Sequence, residues 1–175
     1  MATYYDQNKY NSLRETYHFF RFQRYDYTLE NEHLSVKYYF SLDDKYYFTP
    51  SFDIPKRKFY DFNNLNNSQL DVILFNIGMI ELISYWKLAC PKRVYIQPFK
   101  LDDNQIRWWK KLYFNGLGEF FYLNGIKENV NDFMEIINES EKSCDKINIQ
   151  LKESTLVPVG GGKDSVVTLE LLKNK

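Results

Sequence analysis

The sequence predicts an α+β fold: an N-terminal antiparallel β-meander packed with buried helices, followed by the first strand, loop and helix of an α/β phosphate-binding unit. Three observations carry this reading. Aromatic and polar residues alternate over residues 20–25, and apolar and polar residues repeat that pattern over 34–38, the period of half-buried strands. A long, mostly apolar segment over residues 69–89 sits between a capping residue and a proline. A final apolar run over residues 156–159 meets three consecutive glycines and then Lys163-Asp164-Ser165.

Taken in order, residues 1 to about 17 are polar with scattered tyrosines and are expected to be poorly fixed. Residues 46–49 supply a third strand candidate, and Pro50 and Pro55 then argue against long central strands there. Residues 63–67 are an asparagine-rich loop. Ser68 is the expected cap of the long helix, with Asp71 near its positive end. That helix should run from about Gln69 to Ala89 and stop before Pro91; apolar around most of its circumference, it is expected to be central and buried. Residues 94–99 form a short strand or extended link. Asp102 opens a second helix with a capping-box partner at Gln105, and Ile106, Trp109, Leu112 and Tyr113 follow at helical spacing. Gly116 and Gly118 either end that helix or allow close backbone approach. Asn124-Gly125 breaks the next apolar stretch, a weaker third helix is expected from about Val130 to Cys144, and Ile147, Ile149 and Leu151 alternate as a strand would.

Bulk properties narrow the function classes. The chain has 175 residues, 44% of them hydrophobic and 18% aromatic, with a formal net charge of zero. This balance gives no bulk attraction to nucleic acid or to an anionic membrane. Two cysteines, Cys90 and Cys144, are too few for a disulfide framework and suit a reducing compartment. The N-terminus lacks a signal-peptide core, and the most apolar stretch is interrupted by Asp71, Asn76, Glu81 and Lys87. A cytoplasmic protein without a membrane partner is expected.

The chemistry concentrates in Gly160-Gly161-Gly162-Lys163-Asp164-Ser165. A dinucleotide fingerprint requires a third glycine where Ser165 stands. A Walker A loop requires Ser or Thr directly after Gly-Lys, where Asp164 stands. The remaining pattern is the pyrophosphatase loop, S-G-G-x-D-S, which Gly161 through Ser165 fit, with Gly160 replacing the first serine. Glycines let backbone N–H groups approach phosphate oxygens, and the helix start adds partial positive charge. Lys163 adds a mobile cation. Phosphate would repel Asp164 unless that carboxylate binds Mg²⁺ or caps the helix. A plain glycine turn between a strand and a helix is the simpler alternative. Val166, Val167, Leu169, Leu171 and Leu172 supply the packing face of the following helix.

Residues 75–87, 108–122 and 158–170 together resemble the MurL family of UDP-N-acetyl-alpha-D-muramoyl-L-alanyl-L-glutamate epimerases. The resemblance covers roughly residues 70 to 175. It implies an enzyme dependent on ATP and Mg²⁺ that inverts the terminal L-Glu of UDP-MurNAc-L-Ala-L-Glu through an adenylated carboxylate, in peptidoglycan precursor synthesis. It implies phosphate contacts at Gly160, Gly161, Gly162 and Ser165, with Lys163 as charge partner and Asp164 as a metal-linked carboxylate. The α-proton base is open; Glu81 and Glu119 lie in family-like segments, although a structural role such as capping or pairing with Lys87 or Lys111 is the commoner reading of such charged residues. Trp108 and Trp109 read as core and interface rather than as a stacking platform for uracil, and His18 and His33 as surface residues. The resemblance divides the chain into an α+β domain, residues 1–153, and the start of a PP-loop ATP-binding domain, residues 154–175. Because such a domain needs further strands, the chain is expected to be an inactive fragment of a longer protein. Another PP-loop adenylating enzyme, either a ligase or a tRNA-modifying enzyme, and a non-catalytic binding domain are the alternatives; the neutral charge argues against tRNA.

Overall fold

The computed structural model describes residues 6–30, 33–55, 65–144, 147, 155 and 157–173. The elements are α1 (Gln7–Thr16), β1 (Phe19–Glu30), β2 (His33–Leu42), β3 (Tyr46–Phe48), β4 (Ser51–Pro55), α2 (Asn67–Trp86), β5 (Arg93–Ile96), α3 (Asp103–Gly116), α4 (Gly118–Leu123), β6 (Glu135–Asn138) and α5 (Lys163–Leu172). The α+β class stands. One sheet runs β3-β2-β1-β5-β6, with β4 also paired to β2. The expected meander is its antiparallel half, and β5 and β6 extend it in parallel on the far side of β1. Pro55 closes β4 at the sheet margin, where a missing N–H costs no central ladder bond.

Aromatic alternation in β1 and β2 builds the core. Phe20, Phe22, Tyr38 and Phe40 are fully buried. A bulge between Phe22 and Arg24 inserts one residue and shifts the alternation. Tyr25, beyond the bulge, consequently donates its hydroxyl to the Asp71 carbonyl and carboxylate on α2. Phe22 stacks on Phe75 at a centroid distance of 5.9 Å, and the Tyr38 hydroxyl donates to the Leu74 carbonyl. Gly78 makes this approach possible: a Cβ there would lie 2.5 Å from Phe22 Cζ and 2.7 Å from Tyr38 Cε1.

Four local expectations are corrected. The N-terminal stretch is not unfixed over residues 7–16, where Asp6 caps α1 and Tyr10 is fully buried. Arg14 Nη1 donates to the Tyr10 hydroxyl and to the carbonyls of Cys90 and Phe133, at 2.6, 2.9 and 2.9 Å. The cap of α2 is Asn66, in a reciprocal capping box with Gln69, rather than Ser68. That helix buries one face, through Leu70, Leu74, Phe75, Met79, Leu82 and Trp86, while Ile73 and Ile80 are exposed. It ends at Trp86, whose indole N–H donates to the Pro91 carbonyl. Finally, the helix expected over residues 130–144 is replaced by a turn and β6, because Ile136 and Ile137 pair with Val94 and Tyr95 and bury better in the ladder.

The second helix follows expectation. Asp102 and Gln105 form the capping box of α3, and the helix ends at Gly116 before α4 begins at Gly118. A Cβ at either glycine would meet no neighbour, so Gly116 ends α3 and Gly118 begins α4 without either admitting another backbone. Gly125 turns the chain with φ +63°. Of the expected strand through Ile147, Ile149 and Leu151, the latter two lie outside the described residues. Leu156 does too, and residues 157–160 are not in a strand.

Candidate functional site

The glycine loop leads into α5. Gly162 is the N-cap, with extended backbone at φ −85° and ψ 165°, and Gly161 before it has φ +80°. The helix therefore starts at Lys163, two residues ahead of Ser165. Asp6, Asn66 and Asp102 close the starts of α1, α2 and α3 with side-chain hydrogen bonds, whereas Gly162 has no side chain to do so. The first-turn N–H groups of α5 consequently keep their capacity to bind an anion. A Cβ at Gly160, Gly161 or Gly162 would meet no heavy atom within 4 Å, so the backbone is approachable.

The polar side chains around this turn are arranged locally. Ser165 Oγ donates to the Gly162 carbonyl at 2.7 Å, bracing the turn from inside. Lys163 Nζ lies 3.1 Å from Asp164 Oδ1, with both side chains 90% exposed. An ion pair so exposed is weak and can be exchanged for other partners. Thr168 Oγ1 donates to the Asp164 carbonyl at 2.7 Å. Val166, Val167, Leu169 and Leu171 are exposed, and no described residue of α5 is buried. Among the described residues, no three His, Cys, Asp or Glu side chains gather as a metal cluster.

The two glutamates stand apart in character. Glu81 is half-buried on α2, where its charge adds to burial, the larger cause, in pushing the Tyr38 hydroxyl well above its ordinary range. Glu119 is exposed in the first turn of α4, a position favoured by the helix dipole. His18 and His33 lie on the surface beside Asp43 and Asp53. Cys90 is buried at a turn with φ +52°, away from any activating helix N-terminus.

A second feature had no clear counterpart in the sequence. A cleft of about 470 Å³ opens between α2 and α3, lined in part by Val72, Phe75, Asn76, Lys100, Asn104 and Trp108. Asn138 positions its α3 wall: its side chain accepts from the Leu101 N–H at 2.8 Å and donates to the Leu101 carbonyl at 2.9 Å. Trp109 is core, as expected, but Trp108 is 57% exposed. Neighbouring helical residues point about 100° apart, so the two indoles need not share one environment. The cleft's lining includes neither Glu81 nor Glu119, nor any residue of the glycine loop.

The sequence profile of a family described as the MurL N-terminal domain matches residues 11–175. A curated relative, the UDP-N-acetyl-alpha-D-muramoyl-L-alanyl-L-glutamate epimerase of Xanthomonas oryzae pv. oryzae (strain MAFF 311018), is 29% identical over 98 residues. That alignment covers 56% of this chain and 21% of the relative, so the matched part spans about one fifth of the relative's length. No solved structure matches. Among the described residues, no helix is long and apolar enough to cross a membrane.

Proposed function

The chain belongs to the MurL N-terminal domain family, and from that premise we propose that it is part of an ATP-dependent epimerase that inverts the terminal L-Glu of UDP-MurNAc-L-Ala-L-Glu. The observation that carries this reading is the open glycine turn at the head of α5, within the family match. The turn fits a nucleotide phosphate: it offers accessible backbone N–H groups, no capping side chain, and the mobile Lys163 ammonium. Asp164 is the carboxylate available to Mg²⁺, which commonly takes one or two carboxylates together with substrate phosphates and supplies charge neutralisation there.

The chemistry explains why nucleotide cleavage would accompany an epimerisation. A carboxylate's negative charge keeps its α-proton from ordinary bases. Attack of the glutamate carboxylate on the α-phosphorus of ATP expels pyrophosphate and forms an acyl-adenylate. The α-carbon is now acidic enough for a general base, and a proton returned to the opposite face inverts the centre. Hydrolysis releases AMP and the D-Glu product. In this scheme Gly160, Gly161, Gly162 and Ser165 hold the turn against the phosphates, and Lys163 offsets their charge. We assign the base to neither Glu81 nor Glu119.

The test uses the full-length protein with ATP, Mg²⁺ and UDP-MurNAc-L-Ala-L-Glu in D₂O. AMP and pyrophosphate should form, deuterium should enter the α-carbon of the terminal glutamate, and acid hydrolysis should yield D-Glu. Adenylation without deuterium entry would indicate a ligase. ADP and phosphate as products would reject the loop's role, and no nucleotide consumption would favour a binding domain.

A further inference from the structure

We propose that the cleft between α2 and α3 holds the uracil ring of the nucleotide-sugar, stacked on Trp108 and read by Asn76 and Asn104; this rests on the epimerase reading above. Of the three tryptophans, Trp86 and Trp109 are buried and Trp108 is the exposed one. Trp109 holds it in an edge contact, with centroids 4.9 Å apart and planes at 85°. An exposed indole lining a cleft is a ready stacking plate for a planar ring. A volume of about 470 Å³ lies within the range of small-molecule sites.

The two amides are left with complementary capacity. Asn76 Nδ2 is used on the Val72 carbonyl at 2.7 Å, which leaves Oδ1 to accept. Asn104 Oδ1 is used by Arg107 Nη2, which leaves Nδ2 to donate. The cleft thus offers one acceptor and one donor beside an aromatic plate. Uracil carries its N3–H donor next to the O4 acceptor on a single edge. The acetamido group of an amino sugar carries its donor and acceptor on opposite sides of its amide, which suits one shared edge less well. Adenine offers a similar donor–acceptor edge, and the proposed function places only ATP's phosphates at the glycine turn, so AMP is the competitor against which uracil is tested. Lys100 adds a cation to the cleft wall. Its partner Glu141, at 2.6 Å, is 91% exposed, so the lysine can turn to a diphosphate at little cost.

Fluorescence under selective indole excitation tests this in the full-length protein. UMP should quench saturably, Trp108→Ala should abolish the quench with far-UV circular dichroism unchanged, and Asn76→Ala should weaken UMP binding about tenfold. The Trp108→Ala enzyme should show a raised KM for the nucleotide-sugar, with kcat largely kept. Equal or stronger quenching by AMP, quenching by N-acetylmuramic acid but not UMP, or no quenching by any of them would overturn the proposal. Deuterium exchange that proceeds while UMP fails to bind sinks the cleft assignment alone. UMP binding at Trp108 without any exchange sinks the epimerase reading instead.

Discussion

Two glycines of the same chain do opposite work. Gly78 is absent a side chain because Phe22 and Tyr38 occupy that space, and a Cβ would stand 2.5 Å from a ring carbon. Gly78→Ala should therefore cost about 1–3 kcal/mol through overpacking, read from urea denaturation; an unchanged midpoint would show that the rings move aside freely. Gly160 faces open space and has no positive φ, so Gly160→Ala should leave stability within about 0.5 kcal/mol. Its cost should appear in ATP affinity, because the new methyl stands where a phosphate would approach. Gly161 is the poorer probe. At φ +80° any side chain strains the turn and mixes the two effects.

At the scale of elements, legibility followed the range of the forces involved. The β1 and β2 alternation and the Asp102–Gln105 box depend on residues close in sequence, and both are found where the sequence places them. The α2 cap slipped from Ser68 to Asn66 because both can accept a first-turn N–H, and only Asn66 has Gln69 at the reciprocal position. Long-range contacts hid the rest. Arg14, braced by the Tyr10 hydroxyl, ties α1 to the carbonyls of Cys90 and Phe133, which no local pattern announces. β6 reads as a weak helix until β5 is available to pair with it. In the candidate site, the glycine motif was legible as a string, and the structure adds only that its N-cap is open. The cleft was not legible, since α2 and α3 form it together with residues 100, 101, 144 and 147, which lie far apart in sequence.

At the scale of the whole molecule, the aromatic core makes folding sensitive to alkali. The Tyr10 hydroxyl is pushed far up by burial, only partly offset by Arg14. Burial also raises Tyr25, with Asp71 adding to it, and raises Tyr38 and Tyr113. For each, the folded state keeps a proton that the unfolded chain would release near pH 10. Their stabilising contribution is thus full below about pH 10 and declines above it, because the unfolded state then binds fewer protons. Phenolate absorbance should rise in two phases, the exposed tyrosines first, and the later phase should coincide with loss of circular dichroism. A single phase near pH 10 with the fold intact would contradict this ordering.

The position of β1 between an antiparallel and a parallel neighbour also sets a schedule for biosynthesis. Its hairpin partner emerges directly after it, whereas residues 93–96, which cover its other edge at residues 19–22, emerge about 70 residues later. At translation rates of roughly 5–20 residues per second, that edge stays open for about 4–14 s. Phe20 and Phe22 lie along it, so the growing chain presents an unpaired, aromatic strand throughout the interval. A polypeptide halted at Pro91 should accordingly self-associate, while one extended through Asn138 should stay dispersed in light scattering. A dispersed halted chain would mean that α2 alone shields the nascent edge.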